Sequence, residues 1–573
     1  MHRFLICAAL ACVAAPTFAS DRDARIVVKF REAHVAPMQA GAALQTLAAQ
    51  ARPVVALADG AQVVRVPAQD ADALLAQLSA HPDIAYAVRD VLVQHTVVDD
   101  PFYEGDITLS NGQTYRGFQA DLYDPRGGVD APAAWQMGAT GKGIVVAVID
   151  TGITTHPDLD ANVVPGAGYD FITDAFVSGR ESDGRQAGGW DTGDWSSTAP
   201  WLGQCARRNS SWHGTHVAGT IAAVTNNGVG IAGMAYEAKL LPMRVLGHCG
   251  GWLTDVADAI TWASGGSVEG IPDNATPAEV LNLSLGASSS CPVYMQSAID
   301  DAVARGTTIV VAAGNENRDS ANAAPANCRN VIVVAANGLT GKRARYSNYG
   351  LGITVAAPGG GQIVNDASSG ATWIPHGFIW STGNTGATEP LAPTIIGYTG
   401  TSMAAPHVAA IVAMMQAAAP APHTPETIGS LLAGSARAFP QVPDRALGAG
   451  VADAGRAVAA AISGAFPELA PTGLYPNEAA LANYAVAGQT RHFFVDVPEN
   501  VARLTLRSYG GMGDADLYAR IGEPASTTTH DAKSERPGNN GIVVVDQPAA
   551  GRWYLGLHGA KAYSGVHVRA TIE

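Results

Sequence analysis

Gly143-Ile144-Val145-Val146-Ala147-Val148-Ile149-Asp150 is a continuous apolar run that stops on a carboxylate. A run without alternation reads as a strand covered on both faces. That is the habit of parallel sheets, whose functional groups gather at the C-terminal ends of the strands. Comparable runs follow at 239–245, 280–285, 308–312 and 331–335, with helical stretches at 254–264 and 294–305 between them. The expected core is therefore an α/β, mostly parallel, doubly wound sheet.

Upstream, residues 20–95 alternate strand (26–30), alanine-rich helix (38–51), strand (62–66), helix (70–79) and strand (84–93), the pattern of a small α+β, ferredoxin-like sandwich. An aperiodic connector and irregular arm occupy 95–126. Downstream, a Pro, Gly and Ala-rich linker at 464–476 separates a domain of residues 96–463 from 477–573. There, short alternating runs at 492–497, 502–508, 542–545, 552–557 and 565–572 predict a C-terminal antiparallel β-sandwich.

Residues 1–19 carry a basic start, an apolar stretch over 4–15 and a small-residue site at Thr17-Phe18-Ala19. This reads as a secretory signal peptide, too short to span a bilayer. A lipoprotein signal through Cys12 is disfavoured because Ala9 stands where such signals carry a large aliphatic residue. No later stretch is long and apolar enough for a membrane helix, so the expected product is exported. The formal net charge of −15 argues against a nucleic-acid partner. Outside the leader, four cysteines remain, Cys205, Cys249, Cys291 and Cys328. In an oxidising compartment an even set reads as two disulfides. Of the three connectivities, the sequential one, Cys205–Cys249 and Cys291–Cys328, is preferred.

Chemistry concentrates in three places. Asp150 ends its strand. His213 opens Trp212-His213-Gly214-Thr215-His216-Val217-Ala218-Gly219, and Ser402 lies in Gly400-Thr401-Ser402-Met403-Ala404-Ala405-Pro406-His407, at the start of an apolar helix reaching about Ala418. Pro406 is expected in the first turn of that helix, where its missing N–H costs nothing. A serine hydroxyl is a weak nucleophile until an imidazole takes its proton, and the imidazole needs a carboxylate to fix its tautomer. The order Asp, His, Ser excludes an esterase built on G-x-S-x-G.

With these motifs and Val148-Ile149-Asp150-Thr151-Gly152, the chain resembles the subtilases, secreted subtilisin-like serine proteases. The resemblance implies an endopeptidase acting on proteins and peptides through an acyl-enzyme. Asp150 would orient, His213 would act as base and then acid, and Ser402 would be the nucleophile, while His216 and His407 would be structural. Val311-Ala312-Ala313-Gly314-Asn315-Glu316 is similar to the family's oxyanion motif, which assigns Asn315 as a side-chain donor to the oxyanion. Ser284, Leu285 and Gly286 resemble the substrate-binding strand, and Ala312, Ala313 and Gly314 the wall of the first specificity pocket. The family pattern has a glycine where Ala287 stands. An Ala/Gly lining implies a roomy, apolar pocket, one wall of which an insertion at 359–396 would reshape. A silent adhesion or binding protein on the same fold would lack a triad member, and none is missing.

The resemblance covers most of the chain. Residues 20–95 look like an inhibitory, folding-assisting propeptide, removed by self-cleavage between Gln94 and Asp100. Gly510–Tyr518 and Gly551-Arg552-Trp553-Tyr554 are similar to the bacterial pre-peptidase C-terminal domain. The family's tight calcium loop implies Ca²⁺ held by Asp158 with Val224, Asn227, Val229 and Ile231, an all-oxygen set suited to that ion; the loop is one residue longer than in subtilisin, which leaves Asn226 as the alternative to Asn227. The acidic segment 170–194 reads either as a second ion site or as a solvated loop. A monomer with no membrane span is expected.

Overall fold

A computed structural model describes residues 24–31, 51–57, 60–90, 98–103, 106–108, 114–116, 118–166, 168–350, 352–361, 377–440, 443–465, 471–474, 476, 479–485 and 487–573. The expected leader, most of the 38–51 helix and of the 94–100 cleavage stretch, and part of the 464–476 linker lie outside them. The chain divides into two compact units, residues 1–97 and 98–573.

In the first unit an antiparallel sheet runs Arg52–Ala56, Gln62–Val66, Ala24–Phe30, Ile84–Arg89. Leu74 and Leu78 of the Ala71–Ser79 helix pack on Ile26, Val28 and Phe30. The Arg52–Ala56 strand escapes a reading by burial pattern because every residue of it is exposed, and Pro53 suits such an edge.

The second unit is built on a sheet ordered Val355–Pro358, Ile332–Asn337, Thr308–Ala312, Val280–Leu283, Val145–Asp150, Lys239–Arg244, Tyr169–Asp170, Gln186–Ala187. All pairings are parallel except the last. The pleat explains the unbroken apolar run. Val146 and Val148 enter a core with Val217 and Ile221 of the His213–Ala222 helix and Met403 and Val408 of the Thr401–Ala418 helix. Ala147 and Ile149 enter the opposite core with Val256 and Ile260 of the Leu253–Ala263 helix and Ile299 of the Val293–Ala304 helix. With both faces covered, each strand valine or isoleucine contributes about 1.5–3 kcal/mol of burial. Asp150, two residues beyond Val148, falls on the face that carries the His213 and Ser402 helices. The strand order reverses beside this strand, so Asp150 stands at a topological switch point.

The Thr401–Ala418 helix is buried from Met403 to Met415, which accounts for its apolar residues on every side. Pro406 lies one turn deeper than expected, inside the helix. Both disulfides join the cysteines in sequential order, with Cα–Cα distances of 5.7 Å for Cys205–Cys249 and 5.2 Å for Cys291–Cys328.

The C-terminal module is an antiparallel β structure. Where sequence patterning separates 552–557 from 565–572, one strand, Gly551–Ile572, runs through. Its first half pairs with Thr490–Val497 and Met512–Ile521, its second half with Arg503–Tyr509 and Ala479–Ala485. Gln489 Nε2 donates to Gly434 O at 3.1 Å and Arg491 Nη2 to Ala449 O at 3.2 Å, fastening the module to the α/β body.

Candidate active site

Asp150 is fully buried at its strand end and accepts the Thr151 N–H at 2.7 Å. The His213–Ala222 helix begins directly over it, and His213 Nδ1–H donates to the two Asp150 carboxylate oxygens at 2.8 and 2.9 Å. So close an approach explains two glycines. A Cβ on Gly214 would collide with the Gly152 carbonyl oxygen, and Gly152 itself has φ +89°. Burial lowers the proton affinity of His213. The carboxylate of Asp150, helped by those of Asp194 and Asp191, outweighs it, and the ring ends above its ordinary value. His216, one turn along, is buried, donates from Nε2 to Ile379 O at 3.0 Å and is pushed down to about 3 by burial. It is a neutral packing group. His407 lies buried between Met403 O, 2.7 Å from Nδ1, and Asp121 Oδ2, 2.9 Å from Nε2, on the core side of its helix.

Ser402 occupies the first turn of its helix. Its hydroxyl donates to Ser284 O at 3.1 Å, and Ser284 Oγ donates in return to Ser402 O at 2.8 Å. Pro406, four residues on, has no N–H to offer that carbonyl. The serine of the neighbouring strand end takes its place.

Asn315 follows the Thr308–Ala312 strand. Its Oδ1 accepts both the Thr401 N–H at 2.8 Å and the Thr401 hydroxyl at 2.9 Å. Those two donors fix the amide's orientation and turn its NH₂ outward, beside the first turn that carries Ser402. Thr401 therefore sets the orientation of the Asn315 amide, a contact that the motif's spacing does not reveal.

Ser284, Leu285, Gly286, Ala312, Ala313, Gly314, Asn315 and Ser402 all line one cleft of about 280 Å³. The cleft is not purely apolar as expected. Glu316 and Arg318 also line it, with Arg318 Nη2 donating to Ser288 Oγ at 2.6 Å and Asn348 Nδ2 to Glu316 Oε2 at 2.8 Å. Nor do the described residues of the 359–396 insertion line it. They form a hairpin, Ile379–Asn384 with Pro393–Tyr398, that packs on the His213 helix, Ser381 Oγ donating to His216 O and Thr382 Oγ1 to Thr215 O, each at 2.7 Å.

The calcium expectation meets a fitting set of groups. The Asp158 carboxylate is fully buried and accepts from Asn227 Nδ2 at 2.8 Å and Ile231 N at 2.9 Å. Val224 N donates to Asp158 O at 2.8 Å, and Val229 N to Asn227 Oδ1 at 2.7 Å. The second carboxylate, Asp100, was not singled out by the sequence; it accepts from Asn226 N at 3.0 Å and Asn227 N at 3.3 Å. Burial, with Asp100 as a nearby like charge, pushes Asp158 up to about 6. The N–H groups of the loop hold two buried carboxylates close together, and carboxylate oxygens are the ligand type that a hard divalent cation takes.

The acidic segment 170–194 does not converge. Asp170 pairs with Arg180 and Arg244, Asp174 caps the Ala175–Ser178 turn, and Asp183 accepts from Ala175 N. Asp191 and Asp194 turn inward instead, towards Thr151 and Ser211. Among the described residues no three His, Cys, Asp or Glu side chains gather as a metal site.

The profile of the Subtilase family matches residues 141–450, and that of the Bacterial pre-peptidase C-terminal domain matches 489–559. The chain is 42% identical over 545 residues to a protein named Extracellular protease from Xanthomonas campestris pv. campestris, spanning 94% of this chain and 87% of that one. It is 40% identical over 423 residues to an Extracellular basic protease of Dichelobacter nodosus, spanning 71% and 66% of the two chains. A solved protease structure from Pseudoalteromonas arctica is 46% identical, covers 64% of this chain and 99% of its own, and superposes with a TM-score of 0.57.

Proposed function

The chain belongs to the subtilase family, and from that premise we propose that it is an exported endopeptidase whose triad is Asp150, His213 and Ser402, with Asn315 as oxyanion donor. The observation that carries the proposal is the paired contact of His213 Nδ1 with Asp150 at 2.8 and 2.9 Å, beside a cleft that holds Ser402 and Asn315 together.

The substrate backbone lies along Ser284–Gly286, and its first specificity side chain enters the cleft walled by Ala312–Gly314. Ser402 Oγ exchanges its Ser284 partner for His213 Nε2, gives up its proton there and attacks the scissile carbonyl carbon. Asp150 accepts the Nδ1–H and stabilises the imidazolium. The negative charge on the carbonyl oxygen is met by Asn315 Nδ2 and the Ser402 backbone N–H at the helix start. His213 then protonates the leaving amine, leaving an ester on Ser402. Water, deprotonated by the same ring, hydrolyses it.

Asp158, with Asp100, the Asn227 amide and the carbonyls of Val224, Val229 and Ile231, would hold Ca²⁺. The bound ion supplies charge compensation to the two buried carboxylates and no chemistry at the scissile bond. Residues 20–95 serve as the chain's own inhibitor, released by self-cleavage between Gln94 and Asp100, and residues 1–19 direct export. The relatives are named as extracellular proteases. No helix among the described residues is long and apolar enough to cross a membrane.

The test is casein hydrolysis with N-terminal sequencing of the full precursor and its Ser402→Ala variant. Wild type should digest casein and begin between residues 95 and 100, while the variant is silent and keeps its N-terminal unit. A variant that matures and digests casein like wild type removes Ser402 from the mechanism.

A further inference from the structure

Behind the Asp150–His213 pair stands a second carboxylate. Asp191 is 3% exposed, its Oδ2 accepts the Thr151 hydroxyl at 2.6 Å and its Oδ1 accepts the Gly193 N–H at 2.8 Å. Its backbone is tied to the same strand end, Asp191 N donating to Ile153 O at 2.9 Å. A hydroxyl has one proton to give. Because Thr151 gives its proton to Asp191, its oxygen is left as an acceptor, and it receives the Gly214 N–H at 3.0 Å. Gly214 follows His213 and belongs to the first helical turn, whose N–H groups have no partner within the helix. On its other side Thr151 donates its own N–H to Asp150 Oδ1.

We propose that Asp191 is a positioning residue for catalysis, setting the Thr151 hydroxyl so that this one residue locks the Asp150 carboxylate and the helix start that carries His213 into register. The proposal rests on the Asp150–His213–Ser402 reading.

A second strut supports the same turn from the other side. Asp194 accepts Ser211 N at 2.6 Å and Ser211 Oγ at 3.0 Å, and Tyr398 OH donates to Ser211 O at 2.6 Å. Between Ser211 and His213, Trp212 is buried with φ +52°, a left-handed conformation costly for a bulky residue and held here by its flanks. Its Nε1 donates to Gly386 O at 2.8 Å.

A carboxylate is an expensive way to accept two neutral donors. Burial pushes Asp191 up to about 7, with the Thr151 bond, the Asp194 charge, the Gly193 bond and the Arg244 charge as the further influences. An asparagine could accept from one of those donors only, and would turn an NH₂ towards the other. What the carboxylate adds is a second acceptor oxygen and with it the fixed sense of the Thr151 hydroxyl. The charged and titratable groups around the His213 ring are Asp150 from the strand end, Asp191 and Asp194 from the preceding loop, and His216, neutral, from its own helix; Asp194 is itself paired with Arg208 at 3.1 Å.

The experiment compares wild type with Asp191→Asn, Thr151→Val, Thr151→Ser and the Asp191→Asn/Thr151→Val double variant on a small chromogenic peptide, per active site titrated with a serine-directed phosphonate. Asp191→Asn should lower kcat by roughly 10- to 100-fold with KM within about twofold, as expected of a misplaced rather than missing group. Thr151→Val should lose a similar factor, the double variant no more than the worse single, and Thr151→Ser should retain most of the rate. An Asp191→Asn enzyme with wild-type kcat, whatever its melting temperature, overturns the proposal, as do losses that multiply in the double variant. If Asp191→Asn does not accumulate, the Thr151 pair decides: a valine loss that serine avoids supports the lock, and equal rates overturn it. Failure of the phosphonate to react with Ser402 in wild type refutes the triad reading instead.

Discussion

Ser284 and Ser402 exchange two hydrogen bonds, Ser284 Oγ to Ser402 O at 2.8 Å and Ser402 Oγ to Ser284 O at 3.1 Å. The first closes the carbonyl that Pro406 cannot reach. The second holds the proposed nucleophile on the strand end proposed to receive substrate. Ser284→Ala leaves the Ser402 carbonyl without its donor, which should cost about 1–3 kcal/mol of stability. Thermal unfolding of phosphonate-inhibited enzyme measures it, and an unchanged Tm would mean that the carbonyl has another partner.

Asn315 is oriented by Thr401, so each should matter to the oxyanion. Asn315→Ala is expected to lower kcat by about 100- to 1000-fold with little change in KM. Thr401→Val, which removes the hydroxyl but keeps the N–H, should lower it by less. Steady-state kinetics on a peptide substrate separate the two, and equal kcat in Asn315→Ala and wild type would dismiss the role.

Activity should rise with pH along a limb set by His213, above the ordinary imidazole value, because the Asp150, Asp194 and Asp191 charges outweigh burial. Stability runs the other way. A histidine whose folded value is raised contributes stability that is full below about pH 6.5, its unfolded value, and is lost as pH climbs through the folded value. The Ser402→Ala variant should therefore lose stability across the same interval in which wild type gains kcat/KM. A rate maximum near pH 4 would contradict this.

Calcium dependence should itself depend on pH. Asp158 is pushed up to about 6 by burial, so in the ion-free protein its cost is absent below about pH 4, the unfolded value, and complete above the folded one. Chelation should thus lower Tm strongly at pH 7 and little at pH 4. Calcium at about 100 times its Kd would restore roughly 2.7 kcal/mol. Asp158→Asn should abolish the difference; a chelator without effect on wild type at pH 7 would remove the ion from the account.

The sheet and its chemistry are legible in the sequence for one reason, that the Val145–Asp150 strand is buried on both faces and so carries no alternation to misread. The residues of the proposed triad sit in motifs whose glycines are required by close approach, as at Gly214 over the Gly152 carbonyl. Sequence spacing is blind to partners brought together only by folding. Pro406 looks like a first-turn proline until Ser284 is seen capping the carbonyl it abandons. Asp191 is one acid among many in a segment without periodicity, and only the fold turns it towards Thr151. In the C-terminal module, Met512–Ile521 is hidden by its glycine and two aspartates, and Gly551–Ile572 reads as two strands because glycines and a lysine interrupt its alternation.

The most direct test of the nucleophile and its base is active-site labelling. Wild type treated with a fluorophosphonate at pH 8 and mapped by peptide mass spectrometry should carry a single adduct on Ser402, formed at least about a thousandfold faster than in His213→Ala, since the ring is the proton acceptor. An adduct on another serine, or equal labelling rates in the two proteins, would contradict the assignment of Ser402 and His213.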